Sequence, residues 1–484
     1  MLDTEFLIIG AGFGGIGMAI KLKQQGHNCI TLWEKESDLG GCWRDNHYPG
    51  AACDVPSHLY SYSFAPNSQW SHKFAPQQEI YDYIKDCADR FKITEHIHFN
   101  KEVSEARYDS ENNLWRVTDT QGNELRCRYL ITATGQLNRP AYPGIAGLES
   151  FKGEQFHSAR WNHDVDLKDK NVAVIGTGAS AIQFVPSVVN KAKHVTLFQR
   201  SAPYVIPKPD RPYSKFERWA FKRIPGLLKL SRLKTYLQFE VRFLAFRDLQ
   251  FLLKPYIAYW RRFMNKQVKD EGKRKKLTPD YIIGCKRILI ANNYYPAIDQ
   301  DHVDLVDSGI AEVTPSGITD KQGNQHDVDV IILATGFKAT DFLSPIKIYG
   351  QDGISLNNAW KDGAEAYLGM CVNGFPNCFM LYGPNTNLGH SSIIYMLESQ
   401  INFILKAIDY AKRHDTKTLN VKADIQSKYN DTLQRKIHAS VWDQGCTSWY
   451  KNESGKNTNN WSGFTLSYRR LTKHFKAKDF ATNE

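Results

Sequence analysis

Four groups of residues in this sequence of 484 have types and spacings suited to chemistry. The first is Gly10, Gly12 and Gly15, entered from the apolar run at residues 6–9 and followed by helical spacing over residues 18–25. Such a turn fits a dinucleotide: Gly10 permits the tight bend, Gly12 lets a pyrophosphate approach the backbone, and Gly15 lets helix pack on strand. The helix N-terminus supplies N–H groups to the phosphates. Glu34, which ends the next apolar run, would accept hydrogen bonds from ribose hydroxyls.

The second group, Gly176, Gly178 and Ser180 before Ala181, repeats this pattern after residues 171–175. Its partner strand, residues 195–198, ends in Gln199-Arg200-Ser201 where an acid would otherwise select NAD. A carboxylate there repels a 2'-phosphate, whereas a guanidinium grips it with two hydrogen bonds. The turn therefore reads as an NADPH site with Arg200 and Ser201 on that phosphate. The third group lies between the two turns: Phe151-x-Gly153-x-x-x-His157-x-x-x-Trp161. At this composition such a pattern arises by chance in about one chain per thousand. The fourth is Gly41-Cys42-Trp43, Tyr48-Pro49-Gly50 and Asp54. Gly- and Pro-rich stretches without periodicity form long irregular loops, which in compact domains usually serve function.

The elements that must position these groups are strands leading into each glycine turn and a helix leaving it, so the predicted fold is α/β with two Rossmann-like dinucleotide-binding domains. Ala133-Thr134-Gly135 and Ala334-Thr335-Gly336 each end a strand at a small-residue turn. They resemble the turns at which flavoprotein chains cross between nucleotide domains, and that resemblance implies two crossings here. The expected division is a first domain at 1–145 completed by 341–484, with a second domain at 146–340 carrying a helical insertion at about 207–280. A further helix is expected from about 391 to 412, its N-terminus beside the Tyr382-Gly383-Pro384-Asn385 loop.

Composition narrows the class. An apolar content of 42% and a charged content of 23% are ordinary for a globular protein. The start carries two acids and no basic region, so residues 6–20 are not a signal peptide, and their five glycines keep them short of a membrane span. Nine cysteines without a Cys-x-x-Cys point away from a disulfide framework and from a zinc site, and toward the cytoplasm. From Lys208 to Arg287 there are 22 Lys and Arg against 7 Asp and Glu, a surplus larger than the +11 of the whole chain. This block carries no nucleic-acid recognition motif. It reads as a solvated helical insert, with weak peripheral membrane contact as the alternative.

The third and fourth groups together resemble the two signatures of the type I Baeyer-Villiger monooxygenases, with Asn162 where that family usually has Pro or Asp. The likeness runs from about Phe6 to Trp449. It implies FAD on the first turn and NADPH on the second, with O2 and a ketone as substrates and an ester or lactone as product through a C4a-peroxyflavin. By the same resemblance Asp54 lies beside the flavin, Trp43 and Tyr60 border the cofactor, Lys286 helps hold NADP and Arg287 reaches the flavin. His157 and Trp161 couple domain movement to cofactor position, and Trp449 lies in a segment over the nicotinamide. Class B monooxygenases that oxidise nitrogen or sulfur share both turns and are the alternative, but they typically carry Tyr or Phe at the place of Trp161. No metal is implied.

Overall fold

The structure is a computed structural model and describes residues 2–247, 251, 253–443, 445–446 and 448–483. Residues 248–250 and 252 of the expected insertion lie outside the described residues. Two parallel-rich sheets organise the chain. The first has the strand order Lys347–Tyr349, Val103–Asp109, Leu114–Asp119, Glu124–Thr132, Thr4–Ile9, Ile30–Trp33 and Ile97–His98, with Cys378–Met380 also paired to Glu124–Thr132. Only Leu114–Asp119 runs antiparallel to its neighbours. Its strands therefore come from both ends of the sequence.

The helix Phe13–Gln24 covers the first sheet and packs against Ile393–Arg413. Gly17 makes this close approach possible, because a Cβ there would lie 2.9 Å from the Tyr62 ring and 3.2 Å from Ile401. The long helix buries Ile394, Leu397, Ile401, Leu405 and Ile408 on one side, as a stripe of period 3.6 requires.

The second sheet runs Val303–Val306, His194–Phe198, Asn171–Ile175, Val330–Leu333 and Glu154–His157, all parallel. Its inner strands Asn171–Ile175 and Val330–Leu333 are near-continuous apolar runs, as a sheet covered on both faces demands. The insertion contributes the helices Lys215–Arg223, Leu227–Val241, Phe243–Arg247, Leu253–Gln267 and Glu271–Lys276. Trp260 pins it to the second core, with its indole N–H donated to the Tyr295 hydroxyl at 2.8 Å.

One expectation is corrected. Cys285 and Cys446 form a disulfide, with Cα atoms 6.3 Å apart across 161 residues of sequence. The odd count hides it because the other seven cysteines are free. The bond joins the residue before Lys286-Arg287 to the segment that carries Trp449.

Candidate functional site

Both glycine turns are built as the sequence requires. Gly10 has φ +102°, and a Cβ there would lie 2.7 Å from the Ala133 carbonyl oxygen; a Cβ on Gly15 would lie 1.9 Å from the Gly10 oxygen. Gly12 opens the helix with no side-chain cap, so the first-turn N–H groups are free for an anion. Glu34 is buried, with one carboxylate oxygen accepting from the Ala11 N–H at 2.8 Å and the other from the Glu36 N–H at 3.1 Å. Oε1 also faces the Arg44 guanidinium at 3.5 Å, and Oε2 keeps a lone pair for a further donor.

At the second turn Gly176 has φ +109°, and its Cβ would meet the Ala334 oxygen at 2.4 Å. Gly178 faces open space, and the helix Ala181–Val189 starts at Ser180 with no side-chain cap. Arg200 is exposed at the end of its strand. Lys286 donates its ammonium to the Ser201 hydroxyl at 2.7 Å. Burial and the neighbouring Arg200 charge hold the Lys286 ammonium below the usual lysine range, against a smaller opposing pull from Asp280. Cations gathered in this way make a site for a phosphate.

The Tyr48-Pro49-Gly50 stretch carries the first sheet's loop onto the second turn's helix. The Tyr48 hydroxyl donates to Gln183 Oε1 at 2.9 Å, and Gln183 Nε2 donates to the Ala52 oxygen at 2.9 Å. Gly50 has φ +80°, and a Cβ there would stand 2.6 Å from the Gln183 carbonyl oxygen. Trp43 donates its indole N–H to the Tyr60 hydroxyl at 3.1 Å, and the two rings meet edge to face.

Asp54 sits at the end of this stretch and meets Arg287 from the other side of the cleft. One oxygen of Asp54, Oδ2, accepts from both Nε (2.9 Å) and Nη2 (2.5 Å) of Arg287, while Nη1 reaches the Leu388 oxygen at 3.4 Å. Asp54 raises the pKa of Arg287 further, despite burial; the guanidinium is a fixed positive charge. Two phenols, the half-buried Tyr382 and the buried Tyr450, share its surroundings. Tyr382 donates to Asn387 Oδ1 at 2.7 Å, and burial pushes its pKa up. Tyr450, whose hydroxyl has no partner among the described residues, is pushed up to about 12 by burial, with Arg287 pulling the other way.

The remaining expected residues are placed differently. His157 is buried, accepts the Ala159 N–H on Nδ1 at 3.1 Å, and has rings of Tyr142 and Phe337 beside it. Burial lowers its pKa to about 4. Trp161 packs on Phe156 and Phe184 in the second core. Phe151 lies in a core with Ile331 and Leu333, and Gly153 lets the strand approach Asp329, where a Cβ would lie 2.3 Å from the carbonyl oxygen. The rare pattern thus welds the linker to the second sheet, and neither His157 nor Trp161 bonds Arg287 or Asp54 among the described residues. Trp449 is half-buried against Tyr450, and its carbonyl accepts from Asn459 Nδ2 at 2.9 Å.

Sequence reasoning missed three participants: Gln183, Tyr450 and the run Asn457-Thr458-Asn459-Asn460. That run lies along the Asn385 loop, with Asn385 N–H donated to the Thr458 oxygen and Asn387 N–H to the Asn459 oxygen. Its density of amides was the available signal. Around it the hydroxyls of Ser391, Ser392 and Thr458, and Oδ1 of Asn385, are buried with no partner among the described residues. Ser391 and Ser392 stand just before the uncapped helix Ile393–Arg413. Buried polar atoms are rarely left so, and this cluster fits the polar edge of a cofactor ring.

A family model described as pyridine nucleotide-disulphide oxidoreductase matches residues 7–248. A Baeyer-Villiger monooxygenase of Pseudomonas aeruginosa is 46% identical over 98% of this chain and 90% of its own length. Another from Streptomyces coelicolor is 42% identical over 96% of this chain and 90% of its own. Among solved structures, a steroid monooxygenase bound to NADP superposes with TM-score 0.88 at 31% identity, over 99% of both chains. OTEMO in complex with FAD and NADP gives 0.90 at 30%, over 100% of both. With both glycine turns, the Asp54–Arg287 pair and relatives of this identity along almost its whole length, the chain belongs to the Baeyer-Villiger monooxygenases.

Proposed function

We propose that this enzyme holds FAD on the Gly10 turn and NADPH on the Gly176 turn, and uses O2 to convert an apolar ketone to an ester or lactone in the cytoplasm. The division into 1–145 with 341–484 for FAD and 146–340 for NADP is part of the same reading. One observation carries it: Arg287 and Asp54 are 233 residues apart in sequence and meet in a two-bond ion pair between the two nucleotide turns.

Bound FAD would take hydride from NADPH and activate O2. The chain's own residues then have separable tasks. Arg200, Lys286 and Ser201 hold the 2'-phosphate, which sets the preference for NADPH over NADH. Glu34 takes the ribose of FAD, while the N-terminal N–H groups after Gly12 face its pyrophosphate. Arg287 keeps its proton at any working pH and presents a fixed charge to oxygen atoms that become negative during transfer. Asp54 orients that charge through one carboxylate oxygen. His157 and Trp161 act as positioning residues, since their contacts hold the linker.

A panel of linear, cyclic and aromatic ketones, scored for ester formation by mass spectrometry, tests the reading. At least one ketone is expected to accelerate NADPH oxidation and to appear as product with one added oxygen. Turnover of amines or sulfides alone would assign the chain to the nitrogen- and sulfur-oxidising chemistry instead.

A further inference from the structure

The helix Leu227–Val241 has two unlike faces. Its inner face is fixed to the first domain: Arg232 Nη1 donates to the His58 and Ser61 carbonyls at 2.8 Å each, and Tyr236 stacks on Tyr395. Glu240 accepts from the Thr465 hydroxyl at 2.8 Å. Its outer face carries Leu230, Leu233, Leu237 and Val241, which are 62%, 51%, 52% and 61% exposed. Spacings of three, four and four keep these four on one stripe. Just before it, the helix Lys215–Arg223 exposes Phe216 (70%) and Trp219 (53%), stacked on each other at 5.7 Å. Monomeric proteins rarely leave so many large apolar side chains together in water.

Charge says what covers them. Lys222, Arg223, Lys229 and Lys234 are exposed on or next to the same two helices. The only acids in these helices are engaged: Glu217 is bonded to Arg211 and caps its own helix from Ser214, and Glu240 is turned inward. No helix among the described residues is long and apolar enough to cross a membrane. An apolar stripe flanked by unneutralised cations is the pattern of a helix that lies in the plane of a bilayer surface. We infer that the Lys215–Arg223 and Leu227–Val241 helices dock on an anionic phospholipid surface, with Phe216, Trp219 and the leucine stripe as the inserted contacts.

Each Lys or Arg brought to an anionic surface strengthens binding about fivefold, and the gain is lost to salt screening. A second copy of this chain would need acidic groups opposite these cations. These helices have none to offer.

The test is flotation of the FAD-loaded enzyme with vesicles of phosphatidylcholine alone and with about a third phosphatidylglycerol, at low and at high salt. The wild type is expected to float with the anionic vesicles at least tenfold better than with the neutral ones, and to be released by salt. Leu233→Asp with Leu237→Asp is expected to lose at least tenfold in binding while keeping bound FAD and its melting temperature. Lys229→Glu with Lys234→Glu, which leaves the apolar stripe intact, is expected to lose binding to anionic vesicles selectively; it carries the test if the leucine variant fails to fold. Absence of wild-type flotation, or equal binding to both lipids, overturns the inference. So does light scattering that shows a dimer split by the leucine substitutions.

Discussion

At the scale of single residues, Arg287 is where chemistry and architecture coincide. Its guanidinium gives two hydrogen bonds to one oxygen of Asp54, leaving Nη1 directed to Leu388 at the long distance of 3.4 Å. The guanidinium thus keeps N–H donors on Nη1 and Nη2 for a substrate or cofactor oxygen. Removing a preorganised donor of this kind costs about a hundredfold or more in rate. Arg287→Ala is therefore expected to lose ester formation by at least about a hundredfold while still consuming NADPH, with hydrogen peroxide as the product; product and peroxide assays on the same sample check it. Lys at this position is expected to rescue little, since an ammonium lacks the planar fork that bonds Asp54 along one edge and presents donors along another. Arg200 gives an independent expectation. A charge-assisted bond to phosphate is worth about 1.5–3 kcal/mol, so Arg200→Ala raises KM for NADPH about ten- to a hundredfold and leaves KM for NADH nearly unchanged.

The glycine turns and Arg200 were legible in the sequence because each is a local arrangement of strand, turn and helix. The resemblance brought Arg287 and Asp54 to the same flavin, but nothing local in either segment points to a partner 233 residues away. Gln183 was not legible at all: it is one polar residue on an otherwise apolar helix, and its task depends on a loop from the other domain. Cys285 and Cys446 were hidden for the same reason.

At the scale of elements, the loop through Tyr48 and Gly50 holds the first domain against the helix Ala181–Val189. Gly50 combines φ +80° with a carbonyl oxygen only 2.6 Å from where its Cβ would be. Gly50→Ala meets both penalties, and a loss of about 1–3 kcal/mol in stability is expected, read as a lower melting temperature. Tyr48→Phe removes only the bond to Gln183. It is expected to cost about 1 kcal/mol, with its larger effect on the rate of flavin reduction by NADPH in rapid mixing. The amphipathic helices were readable from apolar spacing. Which of their faces would be covered was not, as Leu227–Val241 shows: its inner face meets residues from both ends of the chain, and its leucines stay outside.

At the scale of the whole molecule, three histidines are buried and uncharged: His58 and His157, lowered by burial to about 4, and His390, lowered to about 3. Their unfolded value is about 6.5. Above that pH neither state binds the proton, and the full stability is present. As pH falls from about 6.5 toward 4, the unfolded chain takes up protons that the native protein refuses. Stability is then lost by up to about 1.4 kcal/mol per pH unit for each histidine. Melting temperature measured from pH 8 to pH 4 is expected to fall below pH 6.5. His157→Gln, which cannot charge, is expected to flatten part of that fall.

The split first sheet also bears on how the chain is made. Its central strand Glu124–Thr132 waits for Cys378–Met380, its first helix waits for Ile393–Arg413, and Phe480–Asn483 pairs with Thr418–Val421. All five strands of the second sheet lie at or before Leu333, although Val441, Trp442 and Tyr450 later complete its core. During translation the inner unit can close while the N-terminal third, already outside the ribosome, still lacks its partners and shows unpaired strand edges. A nascent chain stalled near residue 375, which leaves Val330–Leu333 just outside the ribosome, is expected to protect residues 154–333 from protease and leave the first 130 open to it. Capture of flavin would then be the last event of biosynthesis, and the long wait before it the step at which a chaperone is needed.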